Sequence, residues 1–136
     1  MADLSVLKRA VPGEGVAIEE TEQYLVKTAS DTLDGTDAGY LILVSAGSGT
    51  ITITLPAVST TYAGCVYRIV NASEDNTITM VIDANGSETI IGIVATATVT
   101  LTNTKATSKK GDRIELVGAT ATGWHISRQV GTWAQT

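Results

Sequence analysis

The 136-residue sequence has no phenylalanine, one histidine, one cysteine and two prolines, and aromatic residues make up only 4% of it. Without Phe, a core has to be built from aliphatic side chains, each of which contributes roughly 1.5–3 kcal/mol when fully buried. The single Cys65 excludes an intramolecular disulfide, and its strand-like surroundings favour a small buried residue over a nucleophile. Any chemistry that needs histidine would depend on His125 alone.

Positive charge is also scarce. Nine Lys and Arg against 14 Asp and Glu give a net charge of −5, and the cations are scattered apart from the pairs at 8–9 and 109–110. Because no basic stripe is present, we expect no nucleic-acid partner. The longest apolar run, 40–44, is far too short for a membrane span, and the N-terminal residues lack the apolar segment of a secretory signal. We therefore expect a soluble protein made inside a cell, with no membrane partner.

Threonine alternates with aliphatic residues at a period of two, most clearly at 50–55, 77–80 and 96–102. A strand places successive side chains on opposite faces, so each run buries one aliphatic row and leaves a row of Thr outside. Turn-rich segments separate eight predicted strands, which lie at 40–44, 50–55, 65–70, 77–82, 89–94, 96–102, 113–117 and 124–128.

This pattern predicts an all-β protein with a single antiparallel β-sandwich, a jelly-roll-like domain or a small β-barrel. No interval between the strands carries a crossover helix, which excludes parallel α/β layering. The Thr-x-Thr units recur at unequal intervals, which disfavours a β-solenoid. Regular rows of Thr also occur on ice-binding β-proteins, but the high strand propensity of Thr explains them equally well.

Two regions of different character divide the chain. Residues 1–38 carry much of the acidic charge and two Gly-bearing breaks, so we expect an N-terminal arm or edge region with short strands at 16–18 and 24–26. Residues 39–136 are expected to form the β-sandwich domain.

Residues that could carry chemistry do not form a recognisable constellation. The glycan-hydrolase alternative requires two carboxylates held across a cleft. The available carboxylates each adjoin a turn or a strand edge, with nothing in the sequence to bring them together; they are Asp83, Glu88, Asp112 and Glu115. Asp34-Gly35 reads as a turn within an acidic stretch whose spacing differs from that of a calcium loop. We therefore predict no enzyme activity, no cofactor and no metal site.

Read together, residues 50–133 resemble a β-module that recurs in tailed-bacteriophage virion proteins, both head decoration (capsid cement) proteins and fibre or spike subunits. The landmarks that carry the resemblance are Ile-Thr-Leu-Pro at 53–56, Gly64, Tyr-Arg-Ile at 67–69, Asn71, Ile-Asp at 82–83, Asn-Gly-Ser-Glu at 85–88, Ile90, Gly-Asp-Arg-Ile-Glu-Leu at 111–116, Gly-Trp at 123–124, Ile126 and Gly-Thr-Trp at 131–133. They cover about two thirds of the chain, and their order and spacing together are unusual.

The resemblance implies a structural protein of the virion. Fibre subunits usually carry the module at the end of a long shaft, whereas here only residues 1–38 precede it, so a decoration protein on the outer surface of the capsid is favoured. The alternative is a tail fibre or spike module that binds a receptor or has a structural role. In decoration proteins, the resemblance implies, homo-oligomers, commonly trimers, bind the major capsid protein on the mature shell, and a terminal arm reaches over adjacent subunits. The protein would be made in the host cytoplasm.

Candidate contact residues follow from this interpretation. Apolar residues and one arginine of the arm could contact the capsid; they are Leu4, Val6, Leu7, Arg9, Val11, Val16 and Ile18. The alternative is that they add an edge strand to their own domain. Trp133, beyond the last predicted strand, is a candidate anchor for the C-terminal segment, either on its own core or on a neighbouring subunit.

Overall fold

A computed structural model describes residues 23–58, 64–92, 98–120 and 123–135. Sheet A has the spatial order β1-β3-β5-β9-β10-β7, where the strands are β1 (Tyr24–Lys27), β3 (Leu41–Val44), β5 (Val66–Asn71), β7 (Thr89–Ile91), β9 (Arg113–Thr120) and β10 (Gly123–Val130). Sheet B has the order β11-β8-β6-β4-β2, where the strands are β2 (Asp31–Thr32), β4 (Thr50–Thr54), β6 (Thr79–Asp83), β8 (Thr100–Asn103) and β11 (Ala134–Gln135). A 3-10 turn at Gly35–Asp37 follows β2.

The predicted all-β class is confirmed, and the two sheets pack as a sandwich. The alternation of buried and outward side chains along each strand explains this packing. In β4, Ile51 and Ile53 are buried while the three threonines point outward, and β3, β5, β6 and β8 show the same alternation. The predicted strand at 96–102 is described only from Thr98 onward, and the one predicted at 16–18 lies outside the described residues.

Strand pairing is mixed rather than antiparallel. Among the described strands, five of the nine pairings are parallel. Parallel neighbours need a crossover connection, and in the four parallel pairs among β1–β6 the crossover contains one strand of the opposite sheet. The chain alternates between the sheets from β1 to β6, so that β1, β3 and β5 pair in parallel in sheet A and β2, β4 and β6 do so in sheet B.

The first six strands therefore wind back and forth between the two sheets of the sandwich. The intervals between parallel partners differ in length: Leu41 lies 17 residues after its partner Tyr24, whereas Arg68 lies 27 residues after Leu41. These unequal intervals leave no fixed repeat in the sequence.

The boundary predicted at residue 38 falls inside this arrangement. β1 pairs with β3, β2 pairs with β4, and Leu33 is buried in the core. The backbone N–H of Leu33 also donates to the carbonyl of Thr54, 2.8 Å away. Residues 23–38 thus form the outer strands of the sandwich.

Aliphatic side chains fill the space between the sheets, with three aromatic rings among them. Tyr67 and Trp124 are fully buried and meet edge to face, with their ring centroids 5.4 Å apart. The Tyr67 hydroxyl donates to the Asp34 carbonyl at 2.7 Å, which ties the core to the turn after β2.

A buried polar network joins the two sheets at one end of the core. The Asn71 amide on β5 donates to the Asn103 side chain on β8 at 3.1 Å, and the Asn103 amide donates to the Asp112 carboxylate at 2.8 Å and to the Thr132 carbonyl at 3.0 Å. Asp112 also accepts from the Lys109 backbone N–H at 2.9 Å. Because buried polar groups are costly when unpaired, these contacts fix the register of the sheets at this end.

Candidate interaction surface

The two outer surfaces of the sandwich differ in chemistry. The outward side chains of sheet A, which we call the A face, are Tyr24, Val26, Leu41, Leu43, Val66, Arg68, Val70, Ile91, Arg113, Glu115, Val117, His125, Arg128 and Val130. The outward side chains of sheet B, which we call the B face, are Thr50, Thr52, Thr54, Thr79, Val81, Asp83, Thr100 and Thr102. The A face is thus apolar with charged groups, while the B face is dominated by hydroxyls.

The A face exposes large apolar side chains to solvent. Tyr24 is 60% exposed, Val26 52% and Val130 40%. In the described part of the chain only one other large hydrophobic residue, Val99, is this exposed, and it lies outside the A face. Contiguous apolar surface on a soluble protein is typical of an interaction site.

The B face has fewer features that are typical of an interaction site. Thr52 and Thr102 flank Val81 in one row, and Thr54 and Thr100 flank Asp83 in the next. The central strand β6 therefore interrupts both rows of threonine. The face fits a solvated sheet surface built from residues of high strand propensity.

A cleft of about 260 Å³ opens on the A face. It is lined by Leu41, Arg68, Arg113, Ile114, Glu115 and Arg128, which come from β3, β5, β9 and β10. The register aligns four of these in one row across the sheet, in the order Leu41, Arg68, Glu115 and Arg128. All three arginines of the described ranges meet in this cleft.

A β-bulge brings Arg128 into that row. Ile126 pairs with Leu116, but the next pair along the strands is Arg128 with Glu115, so Ser127 is the extra residue. Its hydroxyl donates to the Glu115 carboxylate at 2.8 Å. A bulge changes the direction of the side chains that follow it. Here it places the Arg128 guanidinium, rather than Ser127, opposite Glu115.

The backbone just before β3 forms a hydrogen bond with Arg68. The Arg68 guanidinium donates to the Gly39 carbonyl at 2.9 Å, at the start of β3. Arg113 and Arg128 are both exposed, and within the described ranges neither forms an ion pair with a carboxylate.

Three of the four described lysines, Lys27, Lys109 and Lys110, form ion pairs with carboxylates. Lys27 donates to Asp31 at 2.6 Å, and this hydrogen bond raises the pKa of the Lys27 ammonium and lowers the pKa of the Asp31 carboxyl. Lys110 donates to Glu74 at 2.7 Å, which raises the pKa of Lys110. Arg113 and Arg128 thus place positive charge at an apolar surface, whereas three of the four described lysines are in ion pairs.

The arm residues predicted to contact the capsid lie outside the described residues; they are Leu4, Val6, Leu7, Arg9, Val11, Val16 and Ile18. Trp133 is described and lies in the core, 6% exposed, where its indole N–H donates to the Val130 carbonyl at 3.0 Å. It therefore packs on its own domain. His125 is exposed on the A face, and Cys65 is half-buried against the core.

The four carboxylates that a glycan hydrolase could use lie in different parts of the structure. Asp83 lies on the B face, and Asp112 is buried in the network between the sheets. Glu88 accepts the Val58 backbone N–H at 2.9 Å, while Glu115 belongs to the A face. Across the described ranges, no group of three or more His, Cys, Asp or Glu side chains is placed to hold a metal ion.

Sequence reasoning missed the arginine cleft. The cations look scattered along the chain because Arg68, Arg113 and Arg128 lie up to 60 residues apart, and only the pairing of three strands brings them together. Arg68 and Arg113 each stand between two buried residues, which marks them as outward-facing, whereas Arg128 stands between the exposed Ser127 and Gln129. The register and the bulge that align them leave no sequence signal.

No protein-family model matches the chain, and no curated protein matches its sequence. Among the described residues no helix is long and apolar enough to cross a membrane. Of the described surfaces, the A face has the features most typical of an interaction site.

Proposed function

We propose that the chain is a bacteriophage capsid decoration (cement) protein that binds the outer surface of the mature head and stabilises it by bridging major capsid subunits. The observation that carries the proposal is the A face, an exposed apolar surface with an arginine cleft on a small β-sandwich. The resemblance of residues 50–133 to virion β-modules supplies the class of partner.

Stabilisation would follow from mass action. A subunit that binds the assembled shell but not its separated pieces lowers the free energy of the shell, and each bound subunit adds to the effect. If copies of the chain associate as the resemblance implies, one oligomer contacts several capsid subunits and binding becomes multivalent. No chemical step is required of the protein, which acts through contact alone.

The A face matches the anatomy of a protein interface. Interface centres are enriched in aromatic residues and arginine and depleted in lysine. The A face has Tyr24 at one edge and three arginines near its middle, and it contains no lysine. The residues of the arm remain candidate contacts in addition to this surface.

The experiment compares two valines of equal exposure. Val130 on the A face and Val99 outside it are each 40% exposed, so Val130→Glu and Val99→Glu add the same charge with a similar effect on folding. Expanded heads assembled without the protein are mixed with each variant, and bound protein and the temperature of head disruption are measured. We expect wild type and Val99→Glu to bind and to raise that temperature, and Val130→Glu to bind about tenfold more weakly, which corresponds to about 1.4 kcal/mol.

Two outcomes would contradict the proposal. Equal binding by both variants would place the contact surface elsewhere on the chain. If the wild-type protein does not bind expanded heads but binds host cells, the tail fibre or spike alternative is favoured. Circular dichroism of each variant confirms that the β-sheet content is unchanged.

A further inference from the structure

We propose that the arginine cleft binds carboxylate side chains from an acidic segment of the shell protein. The inference rests on the proposed function, because the shell protein supplies the occupant. It begins from the concentration of charge: three guanidinium groups line one cleft in a protein whose net charge is −5. The one carboxylate in the cleft, Glu115, already accepts the Ser127 hydroxyl.

Guanidinium chemistry determines what fits. Arginine presents a planar array of N–H donors that matches the two oxygens of a carboxylate or a phosphate. Arg113 and Arg128 lie on adjacent strands, and within the described ranges neither is paired with a carboxylate. Arg113 and Arg128 can therefore accept more negative charge than the described residues place beside them.

The apolar surroundings favour a protein over a phosphate polymer or a sulfated glycan. Val70 and Val130 flank Arg113 across the sheet, Leu43 lies beyond Val70, and Leu41 forms one end of the cleft. A protein segment can bury apolar side chains against these residues while its carboxylates enter the cleft. A sugar or nucleic-acid backbone would instead place polar groups against them.

The described part of a second copy is a poor source of the carboxylates. A two-fold arrangement of A face on A face would bring the arginine cleft against its own copy, which is repulsive. Three carboxylates on other surfaces are engaged locally, Asp31 with Lys27, Glu74 with Lys110, and Asp75 with the Lys110 backbone N–H at 2.8 Å, while Asp83 lies between threonines of the B face. The described carboxylates of a second copy are therefore weaker candidates than an acidic segment of another protein.

The test uses fluorescein-labelled hexaglutamate as the probe and labelled hexaglutamine as its uncharged match. Binding to the full-length protein is followed by fluorescence anisotropy. We expect hexaglutamate to bind and hexaglutamine not to bind, and the double substitution Arg113→Gln/Arg128→Gln to weaken hexaglutamate binding about tenfold or more. Arg113→Lys/Arg128→Lys keeps the charge but removes the planar donors, so it should recover only part of the affinity.

Lys105→Gln is the control for loss of charge: it removes one positive charge, where the double substitution removes two, from an exposed residue that follows β8 of sheet B, and it should leave probe binding within about twofold. Equal weakening by Lys105→Gln would mean that the probe responds to overall charge, and the inference would be wrong. Stronger binding of heparin than of hexaglutamate would assign the cleft to a glycan and overturn the inference as well.

The acidic residues Glu19, Glu20 and Glu22 of the same chain are a competing occupant, since they precede β1 directly. If wild type binds no hexaglutamate and Glu19→Gln/Glu20→Gln/Glu22→Gln does, the cleft is filled by its own chain and the inference fails.

The head-binding assay separates this inference from the proposed function. If wild type binds heads and Arg113→Gln/Arg128→Gln binds them equally well, the cleft has no part in docking, although decoration stands. If wild type fails to bind heads while hexaglutamate binding depends on the arginines, the cleft binds carboxylates but the shell is not their source, and the proposed function fails.

Discussion

At the scale of single residues, the network between the sheets depends on the absence of a side chain. Gly131 lies directly after β10 with a φ of +94°, and a Cβ at this position would collide with the carboxylate of Asp112. Asp112 in turn accepts hydrogen bonds from Asn103 and Lys109. The glycine therefore leaves space for a buried carboxylate that joins both sheets.

We predict that Gly131→Ala destabilises the protein more than Gly111→Ala. The two glycines have nearly the same φ, +94° and +97°, but the Cβ added at Gly111 meets nothing within 4 Å. Gly111→Ala should cost about 1–2 kcal/mol from the left-handed backbone alone, and Gly131→Ala should cost a further 1–3 kcal/mol or so, because Asp112 would lose hydrogen bonds. Urea unfolding followed by circular dichroism measures both; equal losses would mean that Asp112 adapts freely.

Trp133 shows what the sequence could not decide at this scale. The sequence predicts that Trp133 anchors the C-terminal segment, but it leaves open whether Trp133 packs on its own core or on a neighbouring subunit. Its burial depends on β11, whose two residues pair with β8, and a strand that short leaves no alternating pattern. The core location follows from a tertiary contact rather than from local sequence.

At the scale of strands, alternation made most of the fold predictable. Predicted runs such as 50–55, 65–70 and 113–117 correspond to β4, β5 and β9 to within a few residues at each end. The partners of each strand were not predictable, because pairing among strands that alternate between two sheets depends on connections of unequal length. The arginine cleft escaped prediction for the same reason, since it depends on the register of four strands and on one bulge.

The same reasoning predicts how these strands respond to an inserted residue. One Ser added after Ser48, in the exposed connection between β3 and β4, should change the free energy of unfolding by less than about 0.5 kcal/mol. One Thr added after Thr52, inside β4, should cost several kcal/mol, because the shift turns Ile53 outward and each buried aliphatic residue is worth roughly 1.5–3 kcal/mol. Urea midpoints of the two variants check the difference. Similar losses would indicate that β4 absorbs the extra residue as a bulge.

At the scale of the whole molecule, charge is distributed unevenly. The ends of the sandwich carry lysine–carboxylate pairs, the B face carries mainly hydroxyls, and the A face concentrates arginine. The exposed ion pairs contribute little to stability individually, because solvent screens them. Their effect should be visible in the pH dependence of the molecule as a whole.

We predict that stability is nearly constant around neutral pH and falls in acid. The Lys27 hydrogen bond lowers the pKa of Asp31, the Thr36 hydroxyl lowers the pKa of Asp34, and the Lys110 backbone N–H lowers the pKa of Asp75. A carboxyl whose pKa is lower in the folded state stabilises it above its ordinary pKa of about 3.9, and this contribution is lost as pH falls through the folded-state pKa.

The measurement is the urea midpoint at pH 7, 4 and 2.5. Lys27→Gln should show a smaller loss between pH 4 and pH 2.5 than wild type, because the first cause of the lowered pKa of Asp31 is gone. Lys105→Gln serves as the control with the same change in charge. A midpoint that rises on acidification would contradict the prediction.

The placement of β11 at the edge of sheet B has a practical consequence. A subunit seated by its A face would hold this C-terminal strand in the sheet that points away from its support. In the proposed docking, a peptide antigen or reporter enzyme joined after Gln135 would be displayed on the side away from the shell, with its linker clear of the docked face.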